Sequence, residues 1–160
     1  LFKDLQTKGD AMKEKIIVAS DHAGYGLKQK IRNWLERNNY AVEDLGCFSE
    51  ERCDYPDYAE KAAKAVARSR NTIAILFCGT GIGMCITANK IRGVHAALIH
   101  NEFTGRSARE HNNANVICLG ARVIGFATAK KAVQAFLNAK FQGGRHARRI
   151  AKIRKIEKSI

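Results

Sequence analysis

Ile73-Ala74-Ile75-Leu76-Phe77 is an unbroken apolar run, and it constrains the fold more than any other stretch of this chain. A strand of that composition is buried on both faces, the habit of parallel sheets sandwiched between helices. The run opens into Cys78-Gly79-Thr80-Gly81-Ile82-Gly83-Met84, and residues 82–91 then read as a helix. Strand, glycine turn and helix together aim bare backbone N–H groups, and the positive end of a helix dipole, at a negative ligand. Cys78 stands at the strand tip beside that cradle, where an electropositive helix start favours a thiolate able to act as base or nucleophile. Taken alone, the octapeptide Phe77 to Met84 reads equally well as a tight turn holding an inert cysteine.

The remaining segments repeat the same alternation. Residues 15–19 are a β-branched strand ending in the polar turn Ser20-Asp21-His22-Ala23-Gly24. Leu27, Ile31, Trp34 and Leu35 recur at helical spacing, which predicts an amphipathic helix over 25–38. A second strand is expected at 40–46, and Asp57, after the chain's only proline, is expected to cap a helix over 58–69. A strand at 94–99, a polar helix at 102–110 that delivers His111-Asn112-Asn113, and a strand at 115–119 follow. A fifth helix begins near Phe126. After Gly143-Gly144 the basic segment 145–158 reads as the last helix. Five strand–helix alternations without a hairpin signal imply an α/β fold: a three-layer, Rossmann-like single domain around a five-stranded parallel sheet.

At 160 residues the chain suits one domain, read here as residues 12–160. Residues 1–11 are polar and precede Met12, so they are expected to be an upstream extension or cloning remnant. No apolar run is long enough for a membrane helix, so no membrane partner is expected. Five cysteines without a C-x-x-C pair fit reduced thiols in a cytoplasmic enzyme better than a disulfide framework or zinc knuckle. The formal charge of +13 is uneven, because residues 140–160 hold eight Lys/Arg against Glu157, a net of +7. Such a tail can grip phosphate, bind nucleic acid, or be a solvated helix face. It has no aromatic residue after Phe141 for base stacking, so no nucleic-acid partner is expected. The Gly143-Gly144 break would let the last helix leave the body and pack against a partner subunit.

Ligands of open parallel sheets bind beyond the carboxyl ends of the strands. Asp21, His22, Cys78, the glycine loop, His100, Asn101, Gly120 and Arg122 all fall there. An acid, imidazoles, a thiol, an anion cradle and an arginine on one rim make an active site the natural reading.

Seven segments resemble the ribose-5-phosphate isomerase B family: Ser20-Asp21-His22-Ala23-Gly24, Tyr55-Pro56-Asp57-Tyr58-Ala59, Cys78 to Gly83, Ala88-Asn89-Lys90, His111-Asn112, Gly120 to Gly125, and Gly143-Gly144-Arg145-His146. The likeness runs in order from about Lys15 to Ile153. It implies a metal-free, cofactor-free isomerase that interconverts ribose 5-phosphate and ribulose 5-phosphate through a cis-enediolate. Cys78 would be the base, Thr80 the relay between sugar oxygens, and the amides of Gly79, Gly81 and Gly83 the oxyanion donors. His111 would open the sugar ring with Asp21 orienting a hydroxyl. His22, Arg122, Arg145 and Arg149 would hold the phosphate, Tyr55 would line the pocket, and Asn112 would touch a sugar hydroxyl. The resemblance also implies a site shared between subunits of a homodimer or dimer of dimers. Galactose-6-phosphate isomerase subunits share the scaffold, so an allose or galactose 6-phosphate substrate is the alternative. Where some members carry a glutamate base, this chain has Met84.

Overall fold

The computed structural model describes residues 13–160; the expectation for residues 1–11 lies outside them. Five strands, β1 (Lys15–Ser20), β2 (Val42–Asp44), β3 (Thr72–Cys78), β4 (Ala96–Leu98) and β5 (Val116–Gly120), form one parallel sheet in the order β2-β1-β3-β5-β4. The helices are α1 (Tyr25–Arg37), α2 (Tyr55–Ala67), α3 (Ile82–Ala88), α4 (Glu102–Glu110), α5 (Phe126–Asn138) and α6 (Arg145–Ser159). β3 is central and buried at all seven residues, as its composition requires. Its side chains alternate between two cores. Ile73, Ile75 and Phe77 pack with Leu27, Ile31 and Leu35 of α1 and Val133 and Phe136 of α5. Ala74, Leu76 and Cys78 pack with Ala59, Ala62, Ala63 and Val66 of α2 and Met84 and Ala88 of α3. Three layers result, with the expected topology class.

Local boundaries differ from the sequence reading for identifiable reasons. α2 starts at Tyr55, with Asp54 at the N-cap and Pro56 in the first turn, so Asp57 is an acidic first-turn residue and not the cap. Proline tolerates that position because the N–H it lacks has no intrahelical partner there. α3 ends at Ala88 because the Asn89 side chain turns to the edge strand: its Nδ2 donates to Ala96 O (2.9 Å) and its Oδ1 accepts from Ala96 N (2.8 Å). The first turns of α6 are held by the rest of its own chain, with His146 and Ile150 buried, and Glu157 Oε1 accepts from Gly93 N at 2.9 Å, while Ile153 and Ile156 are exposed. Lys152, Arg154, Lys155 and Lys158 form an exposed face.

Among the described residues no helix is long and apolar enough to cross a membrane. All five cysteines are free thiols.

Candidate active site

Strand register brings one group of candidates to a single rim. Ser20 pairs with Phe77 and Cys78 with Gly120, so Asp21, Cys78 and the Gly120-Ala121-Arg122 turn follow the carboxyl ends of three adjacent strands. Asp21 N donates to Phe77 O (3.2 Å), Ala121 N to Cys78 O (2.9 Å) and Arg122 N to Gly79 O (3.0 Å), which ties the three tips together. Glycine permits the approach at two points. A Cβ at Gly24 would lie 2.4 Å from the Phe77 carbonyl, and one at Gly120 would lie 2.6 Å from Thr80 O.

Cys78 is 4% exposed and lies on the α2–α3 side of the sheet. The Gly81 amide donates to its sulfur at 3.0 Å, which Gly81 can do because its φ is +79°. The loop thus turns an N–H inward onto the thiol, and that amide is spent on sulfur. Ile82 N donates to Thr80 Oγ1 at 3.2 Å, and the Thr80 side of the loop is exposed. Two side chains roof the loop. Arg122 lies over Gly79, where a Cβ would come 3.2 Å from its Nη1, and the Tyr55 ring lies on Gly83, where a Cβ would come 2.5 Å from its Cζ. A side chain at Gly79 or Gly83 would therefore have to displace the Arg122 guanidinium or the Tyr55 ring.

Asp21 is buried, with Oδ1 accepting from Gly24 N at 2.9 Å. His22 Nδ1 is bracketed by the backbone of Cys53, with N at 3.3 Å and O at 3.2 Å. His22 also lines a cleft of about 490 Å³ with Arg52, Cys53, Asp54 and Asp57. Asn101 caps α4, its side chain accepting from Thr104 N at 2.9 Å, and Thr104 Oγ1 accepts from the backbone N of His100, whose side chain is exposed.

The second group of candidates lies at the other pole. α4 starts beyond the carboxyl end of β4 and returns to the start of β5, so its C-cap His111, and Asn112 after it, stand at the amino ends of the strands. α5 returns the same way, and Gln142 N donates to Glu110 O at 3.0 Å, which sets Gly143-Gly144 and the start of α6 beside His111. His146 stacks on His111, and Arg145 and Arg149 are exposed in the same first turns of α6. The seven residues of β3 span roughly 20 Å. Within one chain, then, Asp21, His22, Tyr55, Cys78, Thr80 and Arg122 are brought together, and His111, Asn112, Arg145 and Arg149 are not brought to them. The signal was present in the sequence: a residue just before a parallel strand belongs to the amino pole.

Four features escaped the sequence reading. They are the buried Lys28–Asp44 pair, the grip of Cys53 on His22, the His111–His146 stack, and the pairing of Cys85 with Cys118. Each joins residues far apart in sequence, and none matches a short motif.

The profile of the ribose/galactose isomerase family matches residues 16–153. A Mycoplasma genitalium protein named a probable ribose-5-phosphate isomerase B is 46% identical over 149 residues, 92% of this chain and 98% of that protein. A Clostridium thermocellum ribose-5-phosphate isomerase B structure superposes with a TM-score of 0.89 at 46% identity, over 91% of this chain and 98% of that one. A Mycoplasma genitalium ribose-5-phosphate isomerase B structure with bound ribulose-5-phosphate gives a TM-score of 0.88 at 45% identity, over 91% of this chain and 97% of that one. With its three-layer parallel fold and the glycine loop at the tip of β3, the chain belongs to the ribose/galactose isomerase family.

Proposed function

We propose that this chain is a ribose-5-phosphate isomerase, acting as a homodimer in which each site draws residues from both subunits. Family membership and the ribulose-5-phosphate held by a relative support the substrate class. The observation that carries the chemistry is the Cys78 loop: a thiol with a backbone donor 3.0 Å away, roofed by a guanidinium and a tyrosine ring.

In this reading the Cys78 thiolate takes the proton from C2 of the open-chain aldose and returns it to C1. The C2–H electron pair becomes the C1–C2 double bond of the enediolate, and the carbonyl π pair moves onto O1. The Gly79 and Gly83 amides face that charge, each such donor contributing about 3 kcal/mol in a preorganised site. The Gly81 amide acts on the sulfur. The Thr80 hydroxyl moves a proton between O1 and O2. Asp21 orients a sugar hydroxyl, Tyr55 lines the sugar, and His22 and Arg122 bind phosphate through Nε2 and the guanidinium fork.

The groups at the opposite pole come from a second copy. Just beyond the loop, α3 exposes Ile82 (51%) and Ile86 (58%). On the β4 edge a groove of about 850 Å³ runs between α6 and β4, walled by Ala96, Ala97, Ile153 and Ile156, with Asn112 on its rim. Seating α3 of one chain in that groove of another carries the Cys78 loop to the partner's His111. The twofold makes the contact reciprocal and builds two sites. His111 then performs the acid–base step of ring opening, Asn112 meets a hydroxyl, and Arg145 and Arg149, one turn apart, complete the phosphate site. A dimer of dimers would repeat the same pair. Free thiols suit the reducing cytoplasm.

Cys78→Ala is expected to abolish turnover while sugar-phosphate binding persists, and a sugar phosphate should protect Cys78 from alkylation. Turnover by Cys78→Ala would overturn the assignment. A larger kcat/KM for allose or galactose 6-phosphate than for ribose 5-phosphate would move the substrate to a hexose.

A further inference from the structure

Lys28 carries a charge that the chemistry above does not use. It lies on the buried face of α1 with Leu27, Ile31 and Leu35, and its side chain is 0% exposed. Its Nζ donates to Asp44 Oδ1 (2.7 Å) and to the carbonyl of Cys47 (2.5 Å), and lies 5.4 Å from the ring centroids of both Tyr25 and Phe48. A buried ion pair gives little stability beyond apolar side chains of similar volume. What this pair does is fix the turn after β2.

The turn is in contact with the first strand's tip. Asp44 Oδ1 also accepts from Gly46 N at 2.9 Å. Ser20 N donates to Gly46 O (2.7 Å) and Cys47 N to Ser20 O (2.8 Å), so the turn clamps the residue immediately before Asp21. The Cys47 thiol also lies 3.8 Å from Ser20 Oγ and donates to Ser49 O at 3.2 Å, so the turn holds the strand tip from which Asp21 and His22 project. We infer that Lys28 is a positioning residue that sets Asp21 and His22 for the substrate by holding the Asp44–Cys47 turn against Ser20. The inference rests on the proposed roles of Asp21 and His22.

Lys28→Met keeps the length and volume of the stem, and Arg32, with Nη1 3.3 Å from Asp44 Oδ2, keeps the carboxylate paired. The variant is expected to raise KM for ribose 5-phosphate about tenfold, with kcat changed less than about threefold, the signature of misplaced binding groups. In a His22→Gln background the same change should add less than about threefold, since two alterations acting through one group are not additive. A folded Lys28→Met with unchanged KM overturns the inference, and so does full additivity with His22→Gln. Should Lys28→Met fail to fold, Lys28→Met/Asp44→Leu, which removes both charges, carries the same test. Failure of both to fold overturns positioning in favour of a purely structural role. If His22→Gln and Asp21→Asn alone leave KM unchanged, the site reading falls and the inference with it, an outcome distinct from failure of Lys28 alone.

Discussion

The imidazole rings of His111 and His146 are stacked, with centroids 4.3 Å apart and planes 11° from parallel. Desolvation lowers the pKa of His146 from its ordinary 6.5, and His111, Arg145 and Arg149 lower it further. With its folded pKa below the unfolded value, the unfolded chain binds more protons than the native one as pH falls past about 6.5. Its contribution to stability is therefore complete above that pH and is lost as pH falls through the folded pKa. His146→Phe keeps a stacking ring and removes the titration. Its Tm should fall less between pH 7 and pH 5 than that of the wild type. Equal slopes would show that His146 is not the group responsible.

Gly83 and Gly120 should respond differently to alanine. At Gly83 the added methyl meets the Tyr55 ring, a 39% exposed side chain that can swing away. Gly83→Ala should leave Tm nearly unchanged and, with Tyr55 in its proposed place beside the sugar, raise KM for the sugar phosphate. At Gly120 the methyl meets the backbone of Thr80 at 2.6–2.8 Å. Main chain cannot step aside, so Gly120→Ala should cost about 1–3 kcal/mol of stability, the usual cost of overpacking, and displace the glycine loop after β3. Urea unfolding and kinetics on the two variants separate the cases.

How far the sequence carried is visible in particular residues. The all-apolar composition of 73–77 and the glycines that follow were enough to place Cys78 at a strand tip, and Leu27, Ile31 and Leu35 were enough to orient α1. Asp54 in place of Asp57 at the start of α2 is a shift of one helical turn, decided by where Pro56 fits. Lys28 was invisible because a lysine beside an apolar stripe normally reaches solvent, and its partner Asp44 comes from another element. The separation of Cys78 from His111 followed from topology, since a motif match carries no information about which pole a residue occupies. That Arg122 and Tyr55 roof the glycine loop could be learned only from packing.

Cys85 is the thiol most disposed to react outside the glycine loop. A hydrogen bond from Cys118 lowers its pKa to about 7 against the opposing effect of burial, while Cys118, wholly buried, is raised well above the ordinary 9.0. Alkylation of Cys85 in Cys78→Ala should follow a pH profile with a midpoint near 7. Cys118→Ala removes the donor and should move that midpoint upward, toward the range of a free thiol. An unmoved midpoint would mean that Cys118 does not set the reactivity of Cys85. The profile also guards the Cys78 protection experiment, because label on Cys85 must be told apart by peptide mapping.

Cys78 and His111 end opposite poles of one sheet, so a shared site makes a strong prediction for mixed subunits. With cyclic ribose 5-phosphate as substrate, Cys78→Ala should be nearly inactive and His111→Asn strongly slowed as pure proteins. In a twofold dimer of one Cys78→Ala and one His111→Asn chain, one site contains both substitutions and the other contains neither. Random reassociation of equal amounts makes half the dimers mixed, each with one intact site of two, so about a quarter of wild-type activity should return. Recovery should require subunit exchange, and unfolding and refolding the two variants together should restore it where brief mixing of stable dimers does not. If the co-refolded mixture stays as inactive as its parents, His111 does not serve the Cys78 of another chain. The groups of the amino pole would then have no part in the reaction, because about 20 Å of sheet separates them from the thiol within one chain.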